Sequence, residues 1–201
     1  MSPDKEICDY FAEGENLETA IELSRDLDVF IKDLHKKFWF SFNSQMDRRL
    51  VDGNYLWKFR KFNTSAILTA YAKSYIEPVH RETKEAPFVR FFWGQQGSDG
   101  GYQLYKGVVW NKDPKSMSEA PSVLPLTAAL VKMGITTDEK DPAWIRWCRH
   151  GEALYSPEML KNLYKDTDGT VKRFVDDVMN QFLVLMPFME KVNEEAETSL
   201  E

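Results

Sequence analysis

Apolar side chains recur at steps of three and four from Asn16 to Leu50: Leu17, Ala20, Ile21, Leu27, Phe30, Ile31, Leu34, Phe38, Phe42, Met46 and Leu50. That spacing lines one stripe of a helix with about 3.6 residues per turn. Charged residues, among them Glu18, Glu22, Arg25, Asp26, Lys32 and Lys36, fill the opposite side. The pattern therefore predicts one long amphipathic helix, or two end to end. Asn16 is placed to accept from the free N–H groups of the first turn, and Glu18 to meet the positive end of the helix dipole. Around Phe38, Trp39 and Phe40 the apolar positions spread round the helix, which predicts burial on more than one side.

Asp52, Gly53 and Asn54 signal a turn. Residues 55–62 then alternate as a strand does, with Tyr55, Trp57 and Phe59 on one face and Lys58 and Arg60 on the other. Residues 64–76 fit two patterns: Ile67, Leu68, Tyr71, Ala72 and Tyr75 suit a helix, while Ile67, Thr69 and Tyr71 suit a strand. The alanines and a cap at Asn63 favour the helix, and Pro78 would end it. Residues 87–93 and 102–110 are dense in aromatic and β-branched side chains and read as strands. The glycine-rich run from Gly94 to Gly101 reads as the long tip of an antiparallel hairpin between them.

Downstream, residues 124–133 read as a helix closed by Gly134. Asp141 and Pro142 predict a short helix over AWIRWC, with a strand as the alternative. Ser156 and Pro157 open another helix, residues 166–169 form a turn, and a last long helix covers 170–195 with a bend at Pro187. The fold class is α+β over residues 16–195: a long N-terminal amphipathic helix, a small antiparallel sheet with an aromatic-rich hairpin, and C-terminal helices. Residues 1–15 read as a flexible polar lead-in and 196–201 as a tail, with Leu200 and Glu201 resembling a cloning remnant.

Composition narrows the function classes. The chain of 201 residues is 43% hydrophobic and 29% charged, as a soluble globular protein is. A net charge of -6 opposes wholesale coating of nucleic acid. Two cysteines far apart, Cys8 and Cys148, point to a reduced, cytoplasmic protein. No run approaches the roughly 18 apolar residues of a membrane span.

Motifs with chemistry are few. Cys148 and His150 are two apart and would point to different faces of a helix, so neither a metal site nor a cysteine nucleophile is supported. Residues 166–169 begin like a calcium loop, but the glycine needed at its sixth position is Val171. Glu82 and Lys84 match the ExK half of a magnesium-dependent nuclease core, which also requires an upstream Asp and strand context. Lys58, Arg60 and Lys61 interleave with Trp57, Phe59 and Phe62, a mixture that suits single-stranded nucleic acid. On a strand, however, the alternation separates the cations from most of the aromatics.

Three features taken together carry a resemblance: a helix containing Phe38-Trp39, a sheet segment running from Phe88 to Trp93 and from Tyr105 to Trp110, and a last helix containing Leu185 to Asn193. In this order they resemble the C-terminal portion of PD-(D/E)xK-like proteins associated with bacterial restriction and phage defence. With no catalytic Asp and ExK in strand context, the resemblance implies a non-catalytic relative or an accessory module. The expected function is a non-enzymatic interaction protein with a protein partner and no cofactor. Its expected binding surface comprises Gln95, Gln96 and Asp99 at the hairpin tip with Lys58 and Arg60 on the exposed sheet face. The alternatives are a magnesium-dependent nuclease using Glu82 and Lys84, and a single-strand nucleic-acid binder using Lys58, Arg60 and Lys61.

Overall fold

A computed structural model describes residues 5–61, 71–79, 88–98, 101–111, 120–136, 143–154 and 156–198. Helices α1 (Lys5–Ala12) and α2 (Asn16–Asp52) precede four strands, β1 (Trp57–Lys61), β2 (Tyr71–Pro78), β3 (Val89–Ser98) and β4 (Gly101–Trp110). Helix α3 (Val123–Lys132), strand β5 (Trp144–Ala153) and helices α4 (Pro157–Lys165) and α5 (Thr167–Thr198) follow. The sheet is an antiparallel meander whose spatial order is the chain order, β1 to β5. The α+β class and the long amphipathic helix are as the sequence predicts.

Helices α2 and α5 bury their stripes against one face of the sheet. Phe38, Trp39 and Phe42 of α2 meet Trp93 of β3 and Phe174 of α5; Phe42 stacks on Trp93 at 6.0 Å, and Phe38 meets Phe174 edge-on at 5.3 Å. Polar atoms inside this layer are answered. Trp39 Nε1 donates to Gln95 Oε1 (2.9 Å), and Trp57 Nε1 to Glu190 Oε1 (3.2 Å). Asn193 of α5 accepts from Val89 N (2.7 Å) and donates to Val89 O (3.3 Å), a two-way clasp on the first residue of β3. The register of β2 on β3, extended two residues past Ile76 and Phe91, sets Pro78 opposite Val89. Proline has no N–H to give, and Asn193 supplies the missing donor.

Several ends follow local chemistry. Ser156 Oγ accepts from Met159 N, and Asp166 Oδ1 from Gly169 N, capping α4 and α5. Gly134 takes φ +77° just past α3, and Asn54 φ +49° in the turn after α2.

Six expectations change. Residues 5–12 form α1, where the sequence reads as a loose lead-in. Asn16 does not cap α2; its Nδ2 donates to Tyr10 O, tying the helix to α1 instead. Tyr71–Ile76 is strand, because pairing on both sides, Ile76 with Phe59 and with Phe91, outweighs the helical preference of its alanines. Residues 64–70 lie outside the described residues. The helix expected after Asp141 and Pro142, themselves undescribed, is strand β5 paired to β4. Gly94 to Gly101 is not a long loop, since the strands continue in register to Ser98 opposite Gly101. Finally, α5 begins at Thr167, one turn earlier than Thr170.

Candidate functional site

Alternation along the strands divides the sheet into two faces. The rows Ile76–Phe91–Val108 and Trp93–Lys106–Cys148 face the helices. The alternate rows, Phe92–Gly107–Trp147 and Arg90–Val109–Trp144, face outward together with Lys58 and Glu77. Among the described residues no helix covers this outer face.

Two groups of side chains meet there. The first is centred on Glu77, only 1% exposed, whose Oε1 lies 3.5 Å from Arg60 Nη1 and 3.9 Å from Lys58 Nζ. Its Oε2 lies 3.4 Å from Arg90 Nη1. One carboxylate of β2 thus gathers three cations, two from β1 and one from β3. Burying the carboxylate is tolerated because the cations replace its water.

The second group is aromatic. Phe92 meets Trp144 edge-on at 4.8 Å, Trp144 meets Trp147 at 6.1 Å and 50°, and Trp147 meets Tyr105 at 5.4 Å and 51°. Arg149, exposed, pairs across the strands with Tyr105. Gly107 makes room for this packing: a Cβ there would stand 2.3 Å from Arg146 O and 2.8 Å from Trp147 Cα.

The expected site residues divide. Lys58 and Arg60 are on the outer face, as the alternation predicts, with Arg60 60% exposed. Gln95 is not on a loop tip; it is buried and bonded to Trp39, which removes it from any surface role. Gln96 sits in β3 opposite Gln103. Asp99, Glu82 and Lys84 lie outside the described residues. Lys61 closes β1 opposite Ser74.

Sequence reasoning missed Glu77, Arg90, Tyr105, Trp144, Trp147 and Arg149. The tryptophans were hidden by a bulge. Trp144 and Trp147 are three apart, a helical spacing, and they share a sheet face only because the register between β4 and β5 shifts at Val108/Val109.

Elsewhere the chemistry is structural. Because residues 144–153 are strand, Cys148 and His150 share the inner face, contrary to the helical reading. Burial pushes the Cys148 thiol up, with Asp177 adding to the rise and Lys106 opposing it, so the thiolate is disfavoured. Burial holds His150 below its ordinary value, and Lys106 adds to that. Its ring packs on Trp93 (5.1 Å) and Phe174 (5.4 Å). No group of three or more His, Cys, Asp or Glu among the described residues could hold a metal ion. A groove between α2 and α5 contains Ser41, Gln45, Arg49 and Lys172. Ser41 bonds to Asp168, while Arg49 and Lys172 both pair with Asp176, so these groups join the two helices.

No helix among the described residues is long and apolar enough to cross a membrane. No protein-family model, curated protein or solved structure matches this chain.

Proposed function

We propose that this chain is a non-enzymatic binding protein that recognises an acidic segment of a protein partner on the outer face of its sheet, in the phage-defence setting its sequence resemblance suggests. One observation carries the reading: three cations around the carboxylate of Glu77 adjoin a half-buried cluster of Trp144, Trp147 and Tyr105 beside Arg149. Tryptophan, tyrosine and arginine are the residues that dominate binding energy at protein interfaces. Arg60 and Arg149, both exposed, suit an acidic partner and speed encounter with it.

Single-stranded nucleic acid is the second reading. It gains from the structure because β3, β4 and β5 bring aromatics to the same face as Lys58 and Arg60, where the sequence of β1 alone separates them. It loses because the rings meet edge-on or tilted, so their faces are not laid out as a stacking platform.

The test is capture with the chain as bait, using wild type, a Trp147→Ala/Arg149→Ala variant, and Leu124→Ser as a surface control. Partner recovery should fall at least tenfold in the double variant and hold in the control. Equal recovery by all three overturns the assignment. Titration with labelled single-stranded DNA and RNA decides the second reading, since binding that weakens steeply with salt would replace the first.

A further inference from the structure

Residues 17–30 of α2 carry no buried side chain, although the same helix buries Ile31, Leu34, Phe38 and Phe42. Leu23 is 68% exposed, Leu27 52% and Phe30 40%. With Ala20 they follow the three-four spacing of a coiled-coil seam, which continues into the buried Leu34. Phe30 is steadied at the inner end by an edge contact with Tyr164 of α4 at 5.6 Å.

We propose that this seam is the interface of a homodimer, in which the N-terminal halves of two α2 helices pack antiparallel about a two-fold axis near Arg25. Two features select a second copy as the occupant. First, the seam is self-complementary about that point. Leu23 meets Leu27 of the second copy and Ala20 meets Phe30, small against large, as an isologous interface requires. Second, the charge runs in opposite senses along the helix. Residues 13–28 hold Glu13, Glu15, Glu18, Glu22, Asp26 and Asp28 against Arg25 alone, while residues 32–37 hold Lys32, Lys36 and Lys37 against Asp33. Antiparallel packing lays the acidic end of each helix over the basic stretch of the other. Parallel packing would lay acid on acid.

The seam is about 20 Å long at 1.5 Å per residue. It therefore supports a reversible dimer rather than a permanent one, below the size of the usual stable interface.

Sedimentation velocity over a wide concentration range tests the proposal. Wild type should shift from monomer to dimer as concentration rises, and Leu23→Glu/Leu27→Glu should stay monomeric with an unchanged circular dichroism spectrum. A wild type monomeric at every concentration overturns the proposal, as does a dimer that survives the double substitution. Orientation is read by oxidative cross-linking in a chain with Cys8 and Cys148 replaced by serine. Ser24→Cys, beside the axis, should cross-link, and Leu17→Cys, far from it, should not. Cross-linking of both overturns the antiparallel arrangement. Binding of monomeric wild type to neutral phosphatidylcholine vesicles, lost in Leu23→Glu/Leu27→Glu, would assign the seam to a lipid surface instead.

Discussion

The two halves of α2 have the same period and opposite fates. From Ile31 to Leu50 the stripe is sealed against β1, β3 and α5, with Phe38, Phe42 and Met46 wholly removed from solvent. From Leu17 to Phe30 the stripe is equally regular and stays open. Periodicity states that a helix has an apolar side; it does not state what covers it. That depends on how far the rest of the fold reaches, and here it ends near the turn that carries Phe30.

The sharpest way to break this comparison is to truncate one residue from each half. Phe42→Ala removes a side chain that touches Phe38, Trp39, Phe59 and Trp93 and should destabilise by about 3–5 kcal/mol in urea unfolding. Leu27→Ala, measured at a concentration where the chain is monomeric, should stay within about 0.5 kcal/mol of wild type. A loss from Leu27→Ala comparable to that from Phe42→Ala would mean that the open half is covered in the monomer.

Glu77 extends the test to the outer face of the sheet. Glu77→Gln leaves Lys58, Arg60 and Arg90 facing one another without their carboxylate and should destabilise by roughly 2–4 kcal/mol. The loss should shrink in high salt, which screens the exposed Arg60. A neutral outcome would make the cluster incidental.

Asn193→Ala comes next. It strands the buried N–H of Val89 and should lower stability by about 1–3 kcal/mol. The Val89 amide should then exchange with solvent faster than its β3 neighbours.

His35 marks the boundary between the two halves of α2 and gives the smallest effect. It is buried, and its Nε2–H donates to Leu154 O at 3.2 Å, which fits the neutral ring. Burial holds its pKa below the ordinary value, opposed by that backbone bond, and burial lowers His150 as well. Protons therefore bind the unfolded chain first. Stability should be full above pH about 6.5 and fall as the medium is acidified through the ordinary histidine range toward the folded values. Thermal denaturation from pH 7.5 to 5 checks the sign, and His35→Gln should flatten the slope partly, leaving the share due to His150.

What the sequence disclosed follows from which forces are local. The α2 stripe, the cap at Ser156, the left-handed glycine after α3 and the aromatic strands were all legible, because each is set by a few neighbouring residues. Tyr71–Ile76 was not, since its state is decided by Phe59 and Phe91, far along the chain. Gln95 looked like loop because glycines flank it, yet its amide answers Trp39 in the core. Pro78 read as a helix stop, and beside it Glu77 went unremarked, although the strands on both sides aim cations at it. The aromatic cluster needed knowledge of a bulge that no period shows.

The clasp of Asn193 on Val89 also bears on the order of events in folding. It joins residues 104 positions apart, so the start of β3 has no fixed companion on that side until the whole sheet has been made and α5 has docked. Before then β3 and β4 can pair locally as a hairpin while the β2 side of Val89 stays raw. A chain halted after β5 would expose an unfinished strand to its neighbours, and α5 is the element that closes it.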